Sequence, residues 1–280
     1  MPPEPHVVAS DDLATAWLTA TEWTANNPTR GQALVVTVGA DSDGRLRRDP
    51  TFERKLSDII DSIKDANGKK EVVPFIDNAS MIFPQNMWNA RKSEGRPRFY
   101  ERYQALLPRI KKLSRKNVYG VYFERMIAFA NVGAKKPVNQ VEHVIHLLSR
   151  SKRLPRRSAL QIAVFHPAFD HTGQAQRGFP CLQQVSFAYS EEERTLHLNA
   201  YYPTQYLFER GYGNYLGLGD LGNFVASQTG FAFSGLTCFV GSPCNDHGKG
   251  EVLKHCRAFR AEMHLDPVTV GRGTERADAR

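Results

Sequence analysis

The chain has 280 residues, 41% of them hydrophobic, enough to bury one large core or two small ones. No apolar run approaches the roughly 20 residues of a membrane-spanning helix, and the opening MPPEPHVVASDD has no basic segment followed by an apolar core, which reads against a bilayer span and a secretory signal. The formal charge of +8, with a pI near 9.3, suits an anionic partner such as a phosphate-bearing small molecule or RNA, and suits simple solubility equally well.

Residues 1–12 read as a loose tail, and so do residues 266–280. With no long linker or repeat between them, one domain is expected over 13–265. GQALVVTVGA (31–40) predicts a strand closed by glycine. FERKLSDIIDSIKDA (52–66) sets Leu56, Ile59, Ile60 and Ile63 on one helical face. RFYERYQALLPRIKKLSRK predicts a basic helix broken near Pro108. PVNQVEHVIHLLSRSKRLP (137–155) carries Val138, Val141, Val144, Ile145 and Leu148 at helical spacing, and its basic end suits the helix dipole.

Beyond this helix the pattern becomes strand-like. RRSALQIAVFHP (156–167), CLQQVSFAYS (181–190) and RTLHLNAYYPTQYLF (194–208) predict three strands, with EEER turning the chain before the third. GNYLGLGDLGNFVASQTGF (213–231) predicts a buried helix despite its glycines, and LTCFVGSPC (236–244) a further strand. Helices followed by strands of one large sheet predict an α+β domain whose mixed or antiparallel sheet is covered by helices on one face. Cys181, Cys238, Cys244 and Cys256 show no C-x-x-C spacing, the usage of reduced thiols in a cytoplasm.

Several motifs stand in a telling order. VYGVYF (118–123) comes first, then NQVEHVI from Asn139, then the pair Arg156–Arg157 on a segment ending in Phe165, His166 and Pro167. Pro180–Cys181 and Asn214 in GYGNYLG follow, and the spacing from Asn214 to Gly230 and Gly241 runs on without a gap. Over about 117–246 this order resembles the thymidylate synthase family, which includes the pyrimidine-nucleotide hydroxymethylases. The resemblance implies Cys181 as nucleophile and Asn214 as reader of the pyrimidine edge. It implies Arg156 and Arg157 as phosphate ligands reaching a partner's site in a homodimer. It also implies 5,10-methylenetetrahydrofolate as the one-carbon donor.

The chemistry calls for these residue types. Carbon 5 of a pyrimidine is a poor nucleophile, and a thiolate added at carbon 6 turns the ring into an enolate that attacks a one-carbon donor. Nearby positive charge favours the thiolate and also holds a phosphate. An asparagine amide offers a donor and an acceptor to the base. Each assignment has a structural rival. A cysteine is often a small buried hydrophobe, Arg156 and Arg157 continue a solvated basic run after SRSKRLP, and Asn214 among glycines could hold a turn. GLGDLG (217–222) formally matches a dinucleotide fingerprint but lacks the preceding strand, and Cys238, Cys244 and His247 match no zinc spacing.

The chain also departs from the family. Tyr202–Gln205 stand where an arginine and a carboxylate are expected, and the segment ERGYG after them carries one extra residue. Cys244 and Asp246 replace the sugar-binding histidine and tyrosine, and Leu182 and Ser186 stand at two further family positions. Asp77 is the sole carboxylate within 75–89, where the catalytic glutamate belongs, and the C-terminal residues are charged where the family closes a hydrophobic segment over folate. Three functions are therefore carried forward. The first is one-carbon transfer to C5 of a pyrimidine nucleotide, giving a methyl or hydroxymethyl product. The second is a silent relative binding a nucleotide or RNA. The third is a dimer partner of an active synthase.

Overall fold

The structure, a computed structural model, describes residues 4–28, 31–63, 73–113, 117, 120–130, 136–150, 154–171, 173 and 180–264. Its centre is one mixed six-stranded sheet with the strand order β1-β2-β6-β5-β4-β3. The strands are β1 (His6–Ser10), β2 (Leu34–Gly39), β3 (Gln161–Ala163), β4 (Gln184–Ser190), β5 (Thr195–Tyr206) and β6 (Ala232–Cys244). β1–β2 and β5–β6 are parallel pairs, and the remaining pairs are antiparallel.

Side chains alternate across each strand, so register decides which rows are buried. One row runs Val8, Val36, Cys238, Ala200, Val185, Ile162, every member buried. The adjacent row on the opposite face runs Val7, Val35, Phe239, Tyr201, Gln184, Ala163. Val7 is 61% exposed there, Phe239 42% and Tyr201 39%, and the last two rings stack at 5.7 Å.

Helices close the buried face. α1 (Leu13–Asn26) begins at Asp12, whose carboxylate accepts from the Thr15 amide at 2.7 Å. Trp17 at its centre is wholly buried and its indole N–H donates to the Leu207 carbonyl at 2.7 Å. α2 (Pro50–Ser62) has proline in its first turn, an Asp49 cap, and Phe52, Leu56 and Ile60 as its buried stripe. α3 (Phe75–Ile82) and α4 (Gln85–Ala90) lead into α5 (Gly95–Leu113). α6 (Tyr122–Ile127), α7 (Gln140–Ser149) and the short α8 (Pro167–Asp170) flank β3. α9 (Tyr212–Ser227) lies across β5 and β6, and α10 (Lys249–Glu262) packs on α1.

The fold departs from the sequence reading in three places. Residues 6–10, expected in the tail, form β1, because the edge of β2 satisfies their amides and Val8 is buried beneath them. α5 continues through Pro108, on an exposed stretch where water can take the bond that Gln104 loses. The strand expected over 156–167 shrinks to 161–163, preceded by a 3₁₀ turn at 157–159. The glycines of 217–222, by contrast, lie inside α9, the buried helix expected over 213–231. Gly217 lets the backbone of α3 approach, since a Cβ there would stand 2.5 Å from the Ala79 carbonyl oxygen. That motif is therefore a packing device with no strand or phosphate loop around it. The 266–280 tail lies outside the described residues.

An ion pair ties the helices to the edge of the sheet next to Cys181. Arg125 on α6 forms a two-pronged pair with Asp170 of α8, at 2.5 and 2.8 Å, and also donates to the Val164 carbonyl. Gln140 at the start of α7 bonds the Arg125 carbonyl and both backbone groups of Ala163. The amides of Val164 and Phe165 then donate to the Gln183 carbonyl, two residues after Cys181.

Candidate functional site

Cys181 is half-buried at the head of β4 and packs against the core. Its placement comes from backbone bonds on both sides: Gln183 accepts from Val164 and Phe165, and its own amide donates to the Tyr201 carbonyl at 3.0 Å. Beside it stands Tyr122, on the first turn of α6. Burial, and next the Cys181 thiol, push the Tyr122 phenol above its ordinary range. Arg210 and hydrogen bonding to the backbone of Leu182 and Cys181 pull it back. Tyr122 therefore lies within electrostatic reach of both the thiol and the Arg210 guanidinium, next to the backbone of Cys181 and Leu182.

Two buried groups extend this cluster along β5. Tyr202 is fully buried, close to Tyr122, Tyr215, Cys181 and Cys238, and its hydroxyl has no partner among the described residues. Gln205 accepts from the Tyr215 hydroxyl at 3.0 Å, while its amide nitrogen is buried and unpartnered. An unsatisfied buried donor costs about 1–3 kcal/mol, so each is a place where a ligand oxygen or nitrogen would be rewarded.

Arg210 connects the cluster to a second set of titratable groups. It belongs to a π-turn, Leu207–Gly211, between β5 and α9. A π-turn takes one residue more than an α-turn, matching the extra residue in ERGYG. Across the turn, His247 bonds Glu209 at 2.7 Å. Asp246 lies beside Glu209, Arg210 and His247, with one carboxyl oxygen buried and unpartnered. Burial, reinforced by Glu209, raises Asp246 to about 6, against Arg210, which lowers it.

This shift has a measurable consequence. The folded chain holds the Asp246 proton up to about pH 6, whereas the unfolded chain releases it near pH 4. Stability from this group is therefore complete below pH 4 and falls as pH rises through 6. Asp246→Asn keeps a neutral side chain. Its thermal midpoint should rise relative to the wild type at pH 8 and show no such gain at pH 4. A difference constant across that range would remove the buried acid from the account.

The other sequence candidates fall as follows. Asn214 is buried in the first turn of α9, and its amide makes no hydrogen bond among the described residues, so it does not hold a turn. Arg156 is exposed at the cap of the 3₁₀ turn. Arg157 folds onto its own chain, donating to the Tyr189 carbonyl at 3.0 and 3.2 Å with its guanidinium 4.6 Å from the Tyr189 ring centroid. The two arginines thus start a turn instead of alternating on a strand. Asp77 is exposed on α3. Cys238 is buried in β6, and no group of three metal-ligating side chains occurs among the described residues. Tyr119 lies outside them.

No family model and no curated protein matches the chain. Function therefore rests on the site itself. Arg210 escapes the sequence reading because it is ordinary in its local context, and the extra residue in ERGYG is the signal that marks its turn. Tyr122 and Asp246 enter that reading only as part of VYGVYF and as a replaced sugar-binding position.

Proposed function

We propose that this chain is a divergent thymidylate synthase-like enzyme that transfers a one-carbon unit to C5 of a pyrimidine nucleotide through a covalent Cys181 adduct. The observation that carries the reading is the grouping of Cys181, Tyr122 and Arg210 beside the buried unpartnered groups of Tyr202 and Gln205. In this reading the thiolate adds to C6 and C5 attacks the donor's one-carbon unit; loss of the C5 proton expels the carrier and leaves an exocyclic methylene, and addition of water to it, or of a hydride where the donor supplies one, releases the thiolate. Tyr122 orients a ring oxygen or the thiol, Arg210 offsets developing negative charge, and Asp246 has the acid–base range to move the C5 proton. Asn214 reads the base from the helix start, and Arg156 takes a phosphate at the rim.

The expected folate donor fits less well. Gln205 stands at the family's carboxylate position as a neutral amide, its oxygen accepting from the Tyr215 hydroxyl and its buried N–H unpartnered. A neutral amide does not supply the charged acceptor of a carboxylate, so no step is assigned to folate and the donor is defined only as a one-carbon carrier.

The reading includes a homodimer in the cytoplasm. The exposed row of Val7, Phe239 and Tyr201 crosses the sheet face opposite the helices, and a second copy would cover it. Phe239→Asp should turn a dimer into a monomer by analytical ultracentrifugation, with the helical circular dichroism unchanged. A wild-type chain that sediments as a monomer at all concentrations would end the dimer proposal.

The function is tested by tritium release from C5-labelled uracil and cytosine nucleotides, ribose and deoxyribose, phosphorylated and not, with and without methylenetetrahydrofolate. Release identifies the base and the donor. Absence of release across the panel transfers the site to a silent nucleotide- or RNA-binding role, which the +8 charge suits.

A further inference from the structure

A second recess lies on the other side of α9, lined by none of the residues around Cys181. Its volume is 320 Å³, within the range of small-molecule sites. It is lined by three cationic side chains, Arg45, Arg48 and Lys92, by Asp220 and Asn223, and by the buried Trp88.

The cations come from two segments, Arg45 and Arg48 from the connection between β2 and α2 and Lys92 from the turn after α4, and the first two are held in place. The turn at 41–45 is fixed by the Asp41 carboxylate, which accepts from the amides of Asp43 and Arg45 at 2.9 Å each. Asn223 donates to the Gly44 carbonyl and fastens that turn to α9. Arg48 is clamped by Glu53 through two bonds, at 2.5 and 2.7 Å, and Glu53 accepts in turn from the Tyr212 hydroxyl at 2.7 Å. Glu53 therefore offsets one charge of three, leaving two positive charges from Arg45 and Lys92 for a ligand.

We propose that this recess binds a small organic phosphate monoester, with the phosphate between Arg45, Lys92 and Asp220 and an apolar or ring-bearing body against Trp88. Two uncompensated cations match a dianion. A protonated Asp220 can donate a hydrogen bond to phosphate, and an ionised one repels it. Asp220 makes no hydrogen bond within the protein among the described residues. Burial drives it up to about 7, against the pull of Arg48 and Arg45 and with the push of Glu53. The charged groups facing it are thus Arg45 and Arg48 beside the turn and Glu53 from α2, with Lys92 across the recess. A bound anion raises its proton affinity further, so binding should strengthen as pH falls through 7.

Calorimetric titration of the full chain with phenyl phosphate and with inorganic phosphate, at pH 6 and pH 8, tests this. Phenyl phosphate should saturate one site per chain, bind more tightly than inorganic phosphate and change Trp88 fluorescence. Arg45→Ala combined with Lys92→Ala should weaken it roughly tenfold or more, as loss of charge-assisted bonds requires. Both side chains are exposed, so the variant should melt like the wild type. Asp220→Asn should bind at pH 8 better than the wild type and show a smaller pH dependence, which separates Asp220 from the titration of phosphate itself. Equal binding by the double variant, or no saturation by phenyl phosphate, overturns the site. Equal affinity for both probes overturns the role given to Trp88. Because no residue is shared with the Cys181 cluster, these outcomes are independent of C5 tritium release.

Discussion

Cys181→Ala is expected to reduce tritium release from C5 of the preferred pyrimidine nucleotide by about 10⁴-fold or more, the scale on which enzymes lose activity when a covalent nucleophile is removed. Cys238 and Cys256 are fully buried, with thiols driven well up by burial. Cys244 is half-buried at the same end of the sheet, so Cys244→Ala, which should keep release, is the matched control. The variant should fold, because Cys181 is half-buried and loses one sulfur atom, a change of about 1 kcal/mol or less. A matched pair of measurements gives the result its meaning: tritium release, and the thermal midpoint of the same preparation. Loss of release with an unchanged midpoint assigns the thiol to chemistry. Release that persists in Cys181→Ala ends the covalent mechanism and leaves the thiol as part of the core. Salt-dependent RNA binding that survives the substitution would then mark the binding-protein reading as the right one.

The largest effect on stability is expected at Asp170. Asp170→Ala removes the carboxylate opposite Arg125 and leaves a guanidinium with only 14% of its side chain exposed facing an empty space. Losing one partner of a buried pair costs about 3–5 kcal/mol, more than the pair itself contributes, because the remaining charge is desolvated without compensation. The same carboxylate accepts from the His166 amide at 2.7 Å, so the α8 turn loosens with it. Chemical denaturation should show the midpoint falling with little change in slope. Arg125→Met combined with Asp170→Leu should recover much of the loss, since an apolar pair leaves no orphaned charge. A single variant within about 1 kcal/mol of the wild type would show that water reaches the pair. The Arg125 network ends on the Gln183 carbonyl, so the single variant should also disturb Cys181 and lower tritium release.

Much of the fold can be read from the chain alone, because periodicity is a local property. Alternation in LVVTV, QVSFAYS and LHLNAYY predicts β2, β4 and β5 within a few residues, and Leu56 and Ile60 predict the buried stripe of α2. Val141, Val144, Ile145 and Leu148 do the same for α7. α1 escapes this reading. Its buried set includes Thr21, Thr24 and four alanines beside Trp17, so no polar face marks its amphipathic pattern. β1 escapes because five residues alternating weakly between apolar and polar become a strand only when a partner edge is present.

The sequence by itself determined an α+β domain, the main helices and strands of its second half, and a Pro-Cys pair at the mouth of a strand. Only the tertiary structure decided the strand order and the company Cys181 keeps. Tyr122, Tyr202, Arg210 and Asp246 span 125 positions of sequence, and nothing local distinguishes them from surface or core residues. Burial raises their electrostatic coupling, and burial is a property of packing between distant segments. The same reason hides the Arg45–Lys92–Asp220 recess, whose charges are ordinary in the sequence until the connection before α2 and the turn after α4 meet α9.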